Sequence, residues 1–278
     1  SDEGLSYDEI QGIFNHWASH LADQQWLGVS RISLDEIAMR KGHKNYKAVI
    51  CDLDKNQLIE VIDGRSQDCL ISKLSELPLQ VRKAIKEVSV DMWHGFPKVI
   101  EQIFPNAQIV TDRFHVMKLV GEALDQVRRS EQKTQPILRN SRILWLKTRT
   151  HLSKSEETRF APLSEMDLKT ARAYRMKEGL KKIWDCPDIE TANILFNHWY
   201  FWATHSRLEP FIKLAKSLKN HKTGILNNVK NGISNGIVEA INGKIQMLKR
   251  GARGYRNPDN FIAMIYLRCG KLSINLPT

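Results

Sequence analysis

The chain has 278 residues, enough for one large domain or a domain carrying an insertion. Hydrophobic content of 42% with charges of both signs describes a soluble globular protein with a sizeable core, and no apolar run approaches the roughly 20 residues that would span a bilayer. A net charge of +11 points to a polyanionic partner, most simply nucleic acid.

The charge is unevenly spread. Between Pro210 and Pro258 lie Lys213, Lys216, Lys219, Lys222, Lys230, Lys244, Lys249, Arg250, Arg253 and Arg256, against one acid, Glu239. Solvated helix faces usually mix both signs, and this segment does not. No signal peptide pattern opens the chain, and Cys51, Cys69, Cys186 and Cys269 lack paired spacing. Reduced thiols in a cytoplasmic protein are the expectation.

Taken in order, Ser6 to Gln25 reads as a helix, with Ser6 and Glu9 at capping-box spacing and Ile10, Ile13, Phe14, Trp17 and Leu21 as its apolar stripe. Strands follow over Val29–Met39, Tyr46–Leu53 and Gln57–Ile62, the last two joined through Asp54-Lys55-Asn56 as a hairpin. Helices through Leu70, Leu74 and Leu77 and through Val81 and Ile85 lead to a strand Val88–Asp91. A short helix Phe96–Ile103 and a strand Gln108–Thr111 come next, with Pro105-Asn106 turning between them.

Three strands followed by strand–helix–strand predict an α/β protein with a five-stranded mixed sheet. The order 3-2-1-4-5 would make the first and fourth strands neighbours and bring Asp35 beside Asp91. From Arg113 to about Lys222 only helical periodicity is found, which predicts an all-α insertion with Trp199 and Trp202 filling its core. A turn-rich break, Asn231 to Gly236, leads into a helix running to about Arg250, capped by Ser234 or Asn235 and buried through Ile237, Ile241, Ile245 and Leu248. A final helix starts near Pro258 and carries Phe261, Ile262, Ile265 and Leu267.

Phosphodiester transfer at neutral pH needs an activated oxygen nucleophile and a counter-charge on the leaving oxygen, which two divalent ions roughly 3.5–4 Å apart supply. Such ions want carboxylate oxygens, and three acids from separate elements suffice. Asp35, Asp91 and Glu239 fit that layout. Glu36 is a rival for Asp35, since alternation along a strand lets only one of the two face the site. Asp35 as an edge-strand acid paired with Arg40 or Lys41 is the plain alternative. Glu239 has Gly243 four residues on, so no basic i,i+4 partner sits there. Asp112 and His115 lie three apart at a helix start, where His115 suits a supporting group better than a ligand.

The segments Leu34-Asp35-Glu36-Ile37 with Arg40-Lys41-Gly42-His43, Val90-Asp91-Met92-Trp93, Phe104-Pro105-Asn106-Ala107 leading to Thr111-Asp112-Arg113-Phe114-His115, and Gly236-Ile237-Val238-Glu239-Ala240-Ile241-Asn242 resemble those of bacterial insertion-sequence transposases, the ISL-three group of DDE transposases. Lys249-Arg250, Gly254-Tyr255-Arg256-Asn257 and Phe261 resemble that group's closing signature. The resemblance implies an RNase H-like fold interrupted by the helical insertion. Residues 1–28 would be an N-terminal helix and linker, 29–128 the first part of the core, 129–222 the insertion and 223–278 the closing helices.

It implies Asp35, Asp91 and Glu239 as the catalytic, metal-binding triad for two Mg²⁺ ions, with Mn²⁺ as substitute, and Asp112 and His115 as an accessory pair. DNA would be the partner, both transposon ends and target, held by Lys230, Lys244, Lys249, Arg250, Arg253, Arg256, Arg128 and Arg129. A dimer on DNA, in the bacterial cytoplasm and on the nucleoid, would cut at the ends and transfer the 3′-hydroxyl. That group usually begins with a zinc-binding and helix-turn-helix region. Here a short helix comes first, which leaves a fragment and a partial element as the two readings.

Overall fold

The computed structural model describes residues 6, 9, 12–13, 26–38, 46–231, 236–252, 255 and 257–270. These divide into two compact units, residues 1–109 with 233–278, and residues 110–232. The helix Arg113–Glu131 runs through residues 128 and 129 and lies in the second unit.

The first unit is organised on a sheet of β1 (Arg31–Ala38), β2 (Tyr46–Asp52), β3 (Gln57–Ile62), β4 (Glu87–Val90) and β5 (Gln108–Thr111), in the order β3-β2-β1-β4-β5. β1–β2 and β2–β3 are antiparallel, whereas β1–β4 is parallel. The β2–β3 turn works because Asp52 Oδ1 accepts from the Asp54 and Lys55 backbone N–H groups at 2.8 and 3.0 Å, and Asn56 takes φ +56°. Ile59 is an extra residue in β3: Ile50 faces Glu60 while Cys51 faces Leu58.

Alternation sends the sheet's two faces into separate cores. Ile32, Leu34, Ile50, Val88 and Val90 pack with Leu70 and Leu74 of α1 (Gln67–Ser75) and with Phe96, Val99 and Ile103 of α3 (Gly95–Ile103); α2 (Leu79–Ala84) lies between them in sequence. On the other face, Ile37, Val49, Cys51 and Leu58 pack with Ile241 and Ile245 of a helix Gly236–Gly251 and with Phe261 and Ile265 of a helix Pro258–Cys269. At the chain start, Ser6 and Glu9 form the expected reciprocal cap, Glu9 Oε2 accepting from Ser6 N at 2.8 Å and Ser6 Oγ from Glu9 N at 3.3 Å. The stripe residues Ile10, Phe14, Trp17 and Leu21, and the cap candidates Ser234 and Asn235, lie outside the described residues.

In the second unit every regular element after β5 is helical among the described residues. They are α4 (Arg113–Glu131), α5 (Arg142–Leu146), α6 (Lys154–Glu165), α7 (Lys169–Lys181), α8 (Ile189–Thr204), α9 (Glu209–Asn220) and α10 (Lys222–Asn231), with three short 3₁₀ turns. Trp145, Phe160 and Tyr174 meet edge-to-face with centroids 5.0–5.9 Å apart and form the aromatic centre of this core. Glu131 closes α4 onto α7 by accepting from the N–H groups of Lys169 and Thr170 at 2.8 and 2.7 Å. Of the two tryptophans expected inside, Trp199 is buried, its Nε1 donating to Met176 O at 2.8 Å. Trp202, three residues on and on the same side of the helix, is 38% exposed, at the rim of that core beside Gly179 of α7. The helices Gly236–Gly251 and Pro258–Cys269 are α11 and α12.

Candidate active site

Two neighbouring strands set the geometry. In the parallel β1–β4 ladder Leu34 pairs with Val90, and both side chains enter the core beneath α1 and α3. Asp35, the next residue of β1, falls on the opposite face, the one covered by α11 and α12, and Asp91 follows directly on the last residue of β4. β1 lies at the centre of the sheet, which removes the alternative of Asp35 as an edge-strand acid. Its suggested partners Arg40 and Lys41 are outside the described residues.

Both acids are held at one or both oxygens. Asp91 Oδ1 accepts from the Trp93 backbone N–H at 2.8 Å, a turn that ends the strand. The Trp93 ring then stands edge-on to Phe96 with centroids 4.8 Å apart, tying this turn into the core of α3. Asp35 Oδ1 accepts from Glu36 N at 2.8 Å, and Asp35 Oδ2 accepts from Asn242 Nδ2 of α11 at 2.6 Å. Seven residues further along α11, Lys249 Nζ donates to Ala38 O at 2.8 Å. Seven helical residues rise about 10 Å and three strand residues about 10 Å, so the two anchors hold α11 alongside β1 in the same direction.

Glu239 sits in the first turn of α11, one turn before Asn242 and on the same side of the helix, with its side chain exposed. Among the described residues no three His, Cys, Asp or Glu side chains converge closely enough to hold one ion. Thus Asp35 and Asp91 are neighbours, and Glu239 is on the adjoining helix without closing onto them. The donor set nevertheless suits a hard cation: it is all oxygen, and Asn242 Oδ1, a buried acceptor beside Asp35, has no hydrogen-bond partner among the described residues.

Glu36 points to the other face, where Arg65 Nη1 donates to Glu36 Oε2 at 2.7 Å and the Arg65 guanidinium lies 3.9 Å from the centre of the Tyr46 ring. Burial pushes the Glu36 carboxyl above its ordinary range, Arg65 opposes this, and the negative charges of Asp91 and Asp35 add to the rise. Arg65 and Asn242 are the two residues here that sequence reading missed. Asn242 carried two signals, its three-residue spacing from Glu239 and its place at the end of the segment Gly236–Asn242 that carries the resemblance.

The accessory and basic residues divide by environment. Asp112 caps α4, its Oδ1 accepting from Phe114 N at 2.9 Å, and His115 Nε2 lies 3.6 Å from Asp112 Oδ2. Both lie in the second unit. Lys230, Lys244 and Arg250 are exposed, and Lys249 is half-buried on Ala38 O. Lys244 and Arg268 border a groove of about 720 Å³ between α11 and α12. Arg253 and Arg256 are outside the described residues.

Arg128 and Arg129 part company. Arg128 is 6% exposed, and its guanidinium is spent on Asp125 Oδ1 at 2.8 Å, Gln132 Oε1 at 2.6 Å and Leu138 O at 3.4 Å. It is therefore a structural ion-pair partner rather than a surface cation. Arg129 pairs with Asp125 Oδ2 at 2.9 Å while 70% of its side chain stays exposed.

Comparison with known proteins fits this arrangement. A transposase family model of the ISL-three DDE group matches residues 32–265. The transposase for insertion sequence element IS1001 of Bordetella parapertussis is 30% identical over 251 residues, covering 87% of this chain and 62% of that protein. The transposase for insertion sequence element IS1557 of Mycobacterium tuberculosis is 27% identical over 271 residues, covering 87% of this chain and 61% of that protein. The chain thus spans about three fifths of the length of the curated relatives it matches. With the family model running from β1, through both acids and Glu239, into α12, the chain belongs to the ISL-three family of DDE transposases.

Proposed function

We propose that this chain is the catalytic region of a DNA transposase, with an RNase H-like core built on the five-stranded sheet and interrupted by an all-helical insertion, residues 129–222. The observation that supports the reading is the parallel register of Leu34 and Val90, with Asp35 next on β1 and bonded to α11, and Asp91 directly after β4. Asp35, Asp91 and Glu239 would hold two Mg²⁺ or Mn²⁺ ions, which when bound supply an activated oxygen nucleophile at neutral pH and stabilise charge on the attacking and leaving oxygens.

The chain's own part is positioning. Asp35 is fixed by Asn242 and Glu36 N–H, and Asp91 by Trp93 N–H, so neither carboxylate reorganises when a phosphodiester arrives. The exposed cations Lys230, Lys244, Arg250 and Arg129 would hold DNA backbone through sequence-independent, salt-sensitive contacts. Asp112 and His115 would be the accessory pair. The chemistry is cleavage at a transposon end followed by transfer of the freed 3′-hydroxyl into target DNA, with two copies assembled on DNA because two ends must be held together. The names of the relatives, transposases of insertion sequence elements, support the same substrate class.

The test is nicking and joining of supercoiled plasmid and of end-bearing DNA with Mg²⁺ or Mn²⁺, comparing the chain with Asp91→Ala. Metal-dependent products lost in the variant, with DNA binding retained, are expected. Equal metal-dependent activity in a folded Asp91→Ala protein overturns the assignment.

A further inference from the structure

Asp35 has two oxygens with about four lone-pair sites between them. One site on Oδ1 is taken by Glu36 N–H at 2.8 Å and one on Oδ2 by Asn242 Nδ2 at 2.6 Å. Each oxygen keeps a free lone pair, and rotation about the carboxylate is blocked from both sides. The orientation of the Asn242 amide follows from its neighbour. An ionised carboxylate only accepts, so the atom 2.6 Å from Asp35 Oδ2 must be the donating nitrogen, and Oδ1 must point away. That Oδ1 is buried and has no donor among the described residues. An orphaned buried acceptor costs free energy in the free protein, and it lies beside an acid left half-satisfied.

Helix geometry links this pair to the third acid. Asn242 and Lys249 are the side-chain anchors of α11 on β1, and Glu239 lies one turn from Asn242 on the same side. The carbonyl anchored by Lys249 belongs to Ala38, which carries no chemistry. The acid anchored by Asn242 is the one that the metal-site reading needs.

We propose that Asn242 is a positioning residue of the cation site: its Nδ2 fixes the coordinating orientation of Asp35, and its Oδ1 is an open acceptor that a water bound at that site satisfies. The inference rests on the reading of Asp35 and Asp91 as ligands. It goes beyond that reading by giving the site an uncharged member, and by making the seating of α11 on β1 and the strength of cation binding depend on the same side chain. Loss of such an outer partner typically weakens metal affinity about 10–100-fold.

The experiment uses the whole chain and Mn²⁺ alone, with affinity read by electron paramagnetic resonance and fold by the thermal midpoint without metal. Asn242→Leu keeps the volume and removes both the donor and the orphaned acceptor. Its metal-free midpoint is expected to be equal to or above wild type, with Mn²⁺ affinity down about 10–100-fold. A residue serving only to pack α11 would lower the midpoint and leave the affinity of the folded fraction unchanged, and that result overturns the proposal. Asp91→Asn separates the two levels. Mn²⁺ binding lost in Asp91→Asn but intact in Asn242→Leu defeats the role of Asn242 alone, whereas binding intact in both defeats the metal site itself. Should Asn242→Leu fail to fold, the wild-type chain decides: Mn²⁺ titration must broaden the Asn242 side-chain amide signal among the first in the NMR spectrum, and an unaffected signal rejects the proposal.

Discussion

Leu34 and Val90 face each other across the parallel β1–β4 ladder, and the side on which Leu34 packs fixes which acid of β1 faces α11. Because Leu34 enters the core beneath α1 and α3, Asp35 turns toward α11 and Glu36 turns toward Arg65. Asp35→Asn is expected to reduce metal-dependent DNA nicking by more than the roughly 100-fold that loss of an outer partner costs. Glu36→Gln should stay within a few-fold of wild type, since the amide still accepts from Arg65. Plasmid nicking rates for the two variants side by side check this, and the opposite ranking would reverse the faces of β1.

A second prediction separates adjacent arginines. Burial works to raise the Asp125 carboxyl, but the hydrogen bonds and charges of Arg128, Arg129 and Arg142 outweigh it and hold it below its ordinary range. Arg128→Ala breaks the buried part of this cluster and should cost about 3 kcal/mol in denaturant unfolding, the low end for a broken buried pair. Arg129→Ala should leave the unfolding midpoint nearly unchanged and lower the salt slope of DNA binding by about one, as for a single phosphate contact. A stable Arg128→Ala protein with weakened DNA binding would exchange the two roles.

The strand order and the ends of β3 and β5 were legible because apolar alternation and turn residues mark them directly. The β1–β4 adjacency followed from the right-handed crossover, and with it the proximity of Asp35 to Asp91. What escaped was set by contacts distant in sequence. The choice between Asp35 and Glu36 needed the side on which Leu34 packs, which no local pattern reveals. Arg128 looked like its neighbour Arg129, and only the packed turn at Leu138 makes it a buried residue. Trp202 shares a helix face with Trp199, and only the extent of the covering helices leaves it at the rim. Asn242 reads as an ordinary polar residue until α11 is laid on β1, 207 positions away in sequence.

The second unit offers a test of a buried cation. Lys177 Nζ donates to the carbonyls of Trp145, Leu146 and Lys147 at 3.0–3.1 Å, closing the end of α5 from inside the core. Burial lowers its pKa, while the nearby Glu178 charge works to raise it. Lys177→Met fills the same space and offers no donor, so the three carbonyls lose their shared partner. About 2–3 kcal/mol of stability should be lost, as for buried polar groups left unsatisfied, measured by urea unfolding. An unchanged or higher midpoint would mean that desolvating the ammonium costs as much as its hydrogen bonds return.

The Tyr266 hydroxyl ties α12 to β3 and makes stability depend on pH. It donates to Glu60 Oε1 at 2.5 Å and accepts from the Val61 N–H at 2.9 Å. Burial pushes the Glu60 carboxyl above its ordinary value of 4.5, and the Tyr266 hydrogen bond and the Lys73 charge restrain the rise. A carboxyl with a raised folded pKa binds its proton more tightly in the folded than in the unfolded chain. The stability it contributes is complete below 4.5 and is lost as pH rises through the folded value. Glu60→Gln should remove that decline between acid and neutral pH. Tyr266→Phe should strengthen it by taking away the hydroxyl that supports the ionised form, and should cost about 1–3 kcal/mol for the buried groups it leaves unpaired. Thermal midpoints across that range test both signs. A wild-type protein whose stability rises over the same window, with the rise abolished in Glu60→Gln, would mean that the Glu60 carboxyl is lowered by Tyr266 and Lys73 rather than raised by burial.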